Sequence, residues 1–300
     1  MIEQYTNRIA AVLAESRLTV RKQDRLSWEL QPTAHDCAFS LRACEDWLLL
    51  EAALDASAYA AATAEVFLPE LLLGWNATLP GGAKFGVDGK FNLTVRAEVP
   101  LIEEFDCGPR ATEALNCVLA GLARFNGPPL PRREEREERE ETTLALSALA
   151  AETGWAFTER DDGRVSFDLP SPAGVLAATL QPHGCGARVW VPLAEVAGLS
   201  TASRHALAVL FLRAGSVLRL ARPAFVADGD ETSACFEVVF ATAPTAAELT
   251  QALESLAVGV SMAAAEAKLL CEEQTAREFL CAANWIPRQE TNNNTNQRTP

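Results

Sequence analysis

The chain has three histidines and eight cysteines in 300 residues, and two of each fall in His-x-Cys pairs. His35 and Cys37 flank Asp36, and His183 and Cys185 flank Gly184. A thiol beside an imidazole and a carboxylate could be an activated nucleophile, but that requires a base and an orienting group arranged around it, and nothing local supplies them. Two His-x-Cys pairs could also offer metal ligands. Zinc takes four ligands from compact pairs, and no Cys-x-x-Cys occurs anywhere. Gly81-Gly82-Ala83-Lys84 lacks the length and the Ser or Thr of a phosphate-binding loop, and reads as the approach to a hairpin. The carboxylate pairs Glu103-Glu104 and Asp161-Asp162 lie in loop-like, solvated stretches, and no Gly-x-Ser-x-Gly or His-Glu-x-x-His is present. The expectation is therefore no catalytic residue, no metal and no cofactor. Hydrolase or transferase chemistry is the less favoured alternative.

Composition narrows the partners. Lys and Arg number 26 against 40 Asp and Glu, a net charge of -14. A nucleic-acid binder needs a cationic surface to release counterions, so DNA and RNA are not expected partners. Anionic membrane surfaces are disfavoured for the same reason, and no apolar run approaches the ~20 residues of a membrane span. The start, Met1-Ile2-Glu3-Gln4-Tyr5, does not read as a signal peptide, so a cytoplasmic protein with reduced, mostly structural thiols is expected.

An internal repeat organises the chain. Leu13 to Leu18 and Arg25-Leu26-Ser27-Trp28-Glu29-Leu30 return 137 to 139 positions later as Ala150 to Trp155 and Arg164-Val165-Ser166-Phe167-Asp168-Leu169. Phe85-Gly86-Val87-Asp88-Gly89, ahead of the strand Phe91 to Val99, returns 140 positions later as Phe225-Val226-Ala227-Asp228-Gly229, ahead of the strand Ala234 to Phe240. Four landmarks in one order at a nearly constant offset indicate two copies of one unit. Residues 1–126 form the first and 142–285 the second. Between them, 127–141 is a Pro-rich linker and an Arg/Glu run with i,i+4 pairs such as Arg133 and Glu137, leading into a helix. Residues 286–300 are polar, with nothing to bury, and are expected to be disordered.

Within the first copy, Ile9, Val12 and Leu13 share a helical face. Leu26, Trp28 and Leu30 alternate with polar residues as in a half-buried strand. Ala56 to Thr78 reads as a long helix kinked at Pro69. Phe91, Leu93, Val95, Ala97 and Val99 form the cleanest strand, with Asn92, Thr94, Arg96 and Glu98 expected to face water. Arg110 to Phe125 is a closing helix. In the second copy, strands are expected near 155–160, 164–170, 174–181, 187–193, 216–226 and 233–241. A helix is expected over Thr201 to Arg213, and a closing helix from Pro244 to about Ala283. Runs of strands bracketed by helices indicate α+β with antiparallel sheets.

The order helix, strands, long helix, Asp-Gly hairpin, closing helix resembles the small acidic chaperones of type III secretion systems and the related YbjN-like proteins of bacteria. The residues that carry it are Leu71-Leu72-Leu73-Gly74-Trp75-Asn76, Phe85 to Gly89, the strand Phe91 to Val99, and Pro100-Leu101. In the second copy Leu207 to Leu212 and Asp228-Gly229 match, without the Asn at the helix end. The resemblance implies helices packed on a curved antiparallel sheet, used as a homodimer. Two copies on one chain would then form a pseudo-dimer, monomeric or itself dimeric. It also implies a non-enzymatic role, holding an extended segment of a partner protein or peptide. A regulatory or structural interaction protein with no secretion role is the alternative.

Such a partner would bind at a sheet edge or an apolar groove. Trp47 and Leu49 point opposite to Leu48 and Leu50, and Trp190 points opposite to Val189 and Val191. These three are the candidate partner-binding residues, unless their faces close against the sister copy. Trp28, in step with Leu26 and Leu30, belongs to the core.

Overall fold

Among the described residues, alternating apolar positions build two antiparallel sheets of six strands each. The computed structural model describes residues 9, 13, 18–24, 26–32, 39–44, 46–55, 67–87, 92–101, 107–126, 145–228 and 231–283. Sheet 1 comprises β1 (Leu18–Asp24), β2 (Ser27–Pro32), β3 (Phe39–Cys44), β4 (Trp47–Leu54), β5 (Lys84–Val87) and β6 (Leu93–Pro100). Sheet 2 comprises β7 (Phe157–Glu159), β8 (Val165–Ser171), β9 (Gly174–His183), β10 (Gly186–Glu195), β11 (Arg222–Asp228) and β12 (Glu231–Phe240). The strand orders are β1-β2-β3-β4-β6-β5 and β7-β8-β9-β10-β12-β11, so both halves share one topology. The protein is α+β.

Six helices lie among the described residues: α1 (Leu68–Asn76), α2 (Cys107–Asn126), α3 (Leu146–Glu152), α4 (Thr201–Val217), α5 (Ala246–Leu270) and α6 (Glu273–Ala282). Each closing helix covers the inner face of its own sheet, α2 on β4 and β6, α5 on β8, β10 and β12. On α2, Ala111, Ala114, Leu115, Val118 and Leu122 are buried, and on α5 so are Leu249, Ala252, Leu253, Leu256 and Val260. These positions superpose at a spacing of 138 residues. α5 starts on a capping box in which Thr245 and Glu248 satisfy each other's backbone N–H. Ala206 to Leu212 of α4 are all buried, as a helix apolar all round must be. One continuous apolar core runs through both halves.

The structure corrects several expectations. Pro69 does not kink a helix: it lies in the first turn of α1, where its missing N–H costs nothing. The expected strand from residue 216 begins at Arg222, because α4 continues to Val217. The closing helix from Pro244 breaks at Cys271 and Glu272 into α5 and α6. Thr94, Arg96 and Glu98 do not face water: they are 7%, 9% and 5% exposed. The end of α4 lies over them, as the bonds described below establish. Of the expected first helix only Ile9 and Leu13 are described, and both are helical and buried. The Asp88-Gly89 turn, the 127–141 run and the 286–300 tail lie outside the described residues.

Candidate functional site

The chemistry-bearing residues converge where the two halves meet. Lys84 opens β5 and is fully buried, as is Arg222, which opens β11. Lys84 Nζ donates to the carbonyls of Leu218 (2.7 Å) and Ala221 (2.9 Å), beyond the end of α4. Arg222 Nη1 donates to the carbonyls of Leu79 (2.9 Å), Gly81 (3.0 Å) and Ala83 (3.2 Å), beyond the end of α1. The cation of each half thus binds backbone carbonyls in the segment that follows the other half's helix. The two turns also share a left-handed residue, Gly81 at φ 53° and Leu220 at φ 56°.

A glutamate on the neighbouring strand compensates each buried cation. Glu98 Oε1 takes Lys84 Nζ at 3.0 Å and Arg96 Nε at 2.9 Å. Arg96 Nη2 donates onward to the carbonyls of Gly215 (2.7 Å) and Leu218 (2.9 Å). Glu237 takes Arg222 Nε on Oε1 at 2.7 Å and Arg188 on Oε2 at 2.5 Å. Burial pulls the Lys84 ammonium down to about 7, against the upward pull of Glu98. Asn76, at the end of α1, completes the junction. Its amide donates to the carbonyls of Phe85 (3.2 Å) and Pro223 (2.8 Å), and its oxygen accepts from Phe85 N–H (2.7 Å).

A small cleft of about 80 Å³ opens at the same junction. Apolar Val99, Pro100, Val238 and Phe240 line it together with Arg110, Glu113, Glu248 and Gln251. Arg110 reaches from α2 to Glu248 on α5 at 2.7 Å, to Glu113 at 3.1 Å and to the Thr242 hydroxyl at 3.1 Å. The Phe67 ring, ahead of α1, and the His205 ring on α4 stack at 3.8 Å. Glu70 stands 3.4 Å from both Arg204 and His205. Burial holds the His205 imidazole below its ordinary value of 6.5, partly opposed by Glu70.

The three expected partner-binding residues separate. In register, Trp47 pairs with Pro100, Leu49 with Glu98 and Trp190 with Glu237, so Leu49 and Trp190 occupy matching places beside the two buried glutamates. Trp190 is 7% exposed, packed with Ala224, Val226 and Cys235, and closed over by Ala77 from the other half. Trp47 and Leu49 remain partly exposed on the outer face of sheet 1.

The residues that could do covalent or metal chemistry do not gather. Cys185 is exposed at the β9–β10 turn with His183 nearby in sequence, whereas His205 sits on α4. His35 and Cys37 lie outside the described residues. No cluster of His, Cys, Asp and Glu able to hold a metal occurs among the described residues. Burial pushes the Cys117 thiol up to about 11 and the Cys235 thiol well above its ordinary value, which leaves both poor nucleophiles. Lys84 belongs to the junction rather than to any phosphate loop. No helix among the described residues is long and apolar enough to cross a membrane.

The sequence pattern points to Trp47, Leu49 and Trp190 but not to the junction. Its signal was a Lys or Arg opening a strand, with Glu two-thirds of the way along the next, in both halves. No known family model matches the chain, and no match was found among curated proteins or solved structures.

Proposed function

We propose that the chain is a non-enzymatic protein-binding module, built from two copies of one α+β unit paired as a pseudo-dimer, that holds a segment of a partner protein. The pairing is supported by the shared strand order and by the reciprocal bonds of Lys84 and Arg222. The observation that carries the binding role is the asymmetry between the outer sheet faces. The face holding Trp190 is sealed by Ala77, whereas Trp47 and Leu49 stay partly open to solvent. An indole and a leucine side by side on a sheet face form an apolar anchor that a partner segment can cover. This role agrees with the resemblance to type III secretion chaperones and YbjN-like proteins, and with a cytoplasmic setting.

Affinity capture with the intact chain and with a Trp47→Asp/Leu49→Asp chain tests the reading. One defined protein retained by the first and lost by the second supports it. Equal retention by both, or no specific retention by either, overturns it.

A further inference from the structure

The contact between Arg110 and Glu248 carries a consequence for which surfaces can pair. Superposing the buried positions of α2 and α5 places Gly121 on Gly259 and Arg110 on Glu248, each 138 residues apart. Arg110 therefore meets its own counterpart across the junction, at 2.7 Å, with Glu248 buried and Arg110 about three-quarters so. A surface that pairs two like units about a two-fold brings a near-axis residue against itself. Two first copies would there set Arg110 against Arg110, and two second copies Glu248 against Glu248.

We infer that this surface is built for an unlike partner: each copy accepts the other and rejects its own kind, with the Arg110–Glu248 pair as the discriminating contact. The inference rests on the reading of two paired copies. Like charges at a partly desolvated contact repel, and specificity arises as much from that repulsion as from the attraction of the correct pair. Glu248 is committed in both directions, since its Oε2 accepts from the Thr245 N–H while its Oε1 faces Arg110. Within its own copy Arg110 is held by Glu113, so its guanidinium is aimed before the copies meet, and the Thr242 hydroxyl of the second copy accepts from it once they do.

Two measurements on the full chain test this. In the first, Arg110→Glu is made in the wild-type background and in a Glu248→Lys background, and the chemical-unfolding midpoint is recorded. Loss of the α5 cap is common to both members of the second pair and cancels. A lowered midpoint in the wild-type background and a raised one beside Lys at 248 is the expected result. The same loss in both backgrounds overturns the inference. In the second, a protease site placed within 132–141 is cut after folding, and differently tagged cut chains are mixed. The expected complexes pair a first copy with a second, and Arg110→Glu weakens them about tenfold. Same-copy pairs forming as readily would overturn the inference while leaving paired copies intact. Separation of the cut wild-type halves would instead overturn the paired-copy reading itself.

Discussion

Lys84 donates to the carbonyl of Ala221 and Arg222 donates to the carbonyl of Ala83, so each cation holds the residue that precedes the other (2.9 and 3.2 Å). The two side chains lie on the first residues of β5 and β11, and both are buried. A buried cation is tolerable only when paired and fully hydrogen-bonded. Here the pairing comes from a glutamate of the same half and the bonding from the opposite half. Each cation therefore keeps its backbone acceptors only while the two halves are docked.

Removing one glutamate tests the charge compensation inside a half. Glu237→Ala strands Arg188 and Arg222 in the interior, and unfolding free energy is expected to fall by about 3–5 kcal/mol. Denaturant titration measures it. A loss comparable to that of a surface carboxylate, below about 0.5 kcal/mol, would contradict the compensated-network account.

Asn76 tests the same junction without charge. Its side chain makes three hydrogen bonds spanning both halves. Asn76→Leu leaves two carbonyls and one N–H without partners in a dry site, and about 2–4 kcal/mol of stability should be lost. Thermal unfolding followed by circular dichroism checks the value.

Gly215 sets helix propensity against packing. Gly→Ala within a helix ordinarily gains about 1 kcal/mol. A Cβ at 215 would lie 2.6 Å from Pro223 Cδ, and the ring cannot swing aside. Overpacking of this kind costs about 1–3 kcal/mol, so Gly215→Ala should destabilise on balance. A higher melting temperature for the variant would show that β11 has room to move.

Lys84 gives a pH dependence with a definite sign. Its folded value of about 7 lies below its ordinary 10.5, so between those limits the unfolded chain binds more protons than the folded one. Stability from this group therefore rises with pH above about 7 and is lost as pH falls toward it. The change in unfolding free energy from pH 7 to pH 9 should be more positive for the wild type than for Lys84→Met. The buried Cys117 and Cys235 thiols, raised in the folded chain, begin to ionise in the unfolded chain near pH 9 and act in the opposite direction, equally in both chains, so the comparison cancels them. Identical pH profiles would contradict the account.

Much of the fold was legible because sheets and helices write their burial into the sequence at periods of two and 3.6. Trp28 and Leu30 were read as core and are core. The α+β class followed from runs of strands bracketed by helices. Arg96 and Glu98 show where this reading stops. A polar residue alternating with apolar ones means only that it leaves the inner face. Whether water or another helix receives it is decided by residues about 120 positions away, at Gly215 and Leu218. Pro69 misled for a related reason, since proline breaks a helix interior but starts a helix equally well. The apolar run through Leu270 likewise hid the change of direction at Cys271.

Covalent capture at position 47 addresses the binding role most directly. A photoreactive phenylalanine analogue in place of Trp47 would report what covers the outer face of sheet 1 inside the cell. Adducts to one segment of a second protein, lost when Leu49→Asp is added, are the predicted result. Adducts confined to the chain itself, or unchanged by Leu49→Asp, would contradict a partner-holding face there.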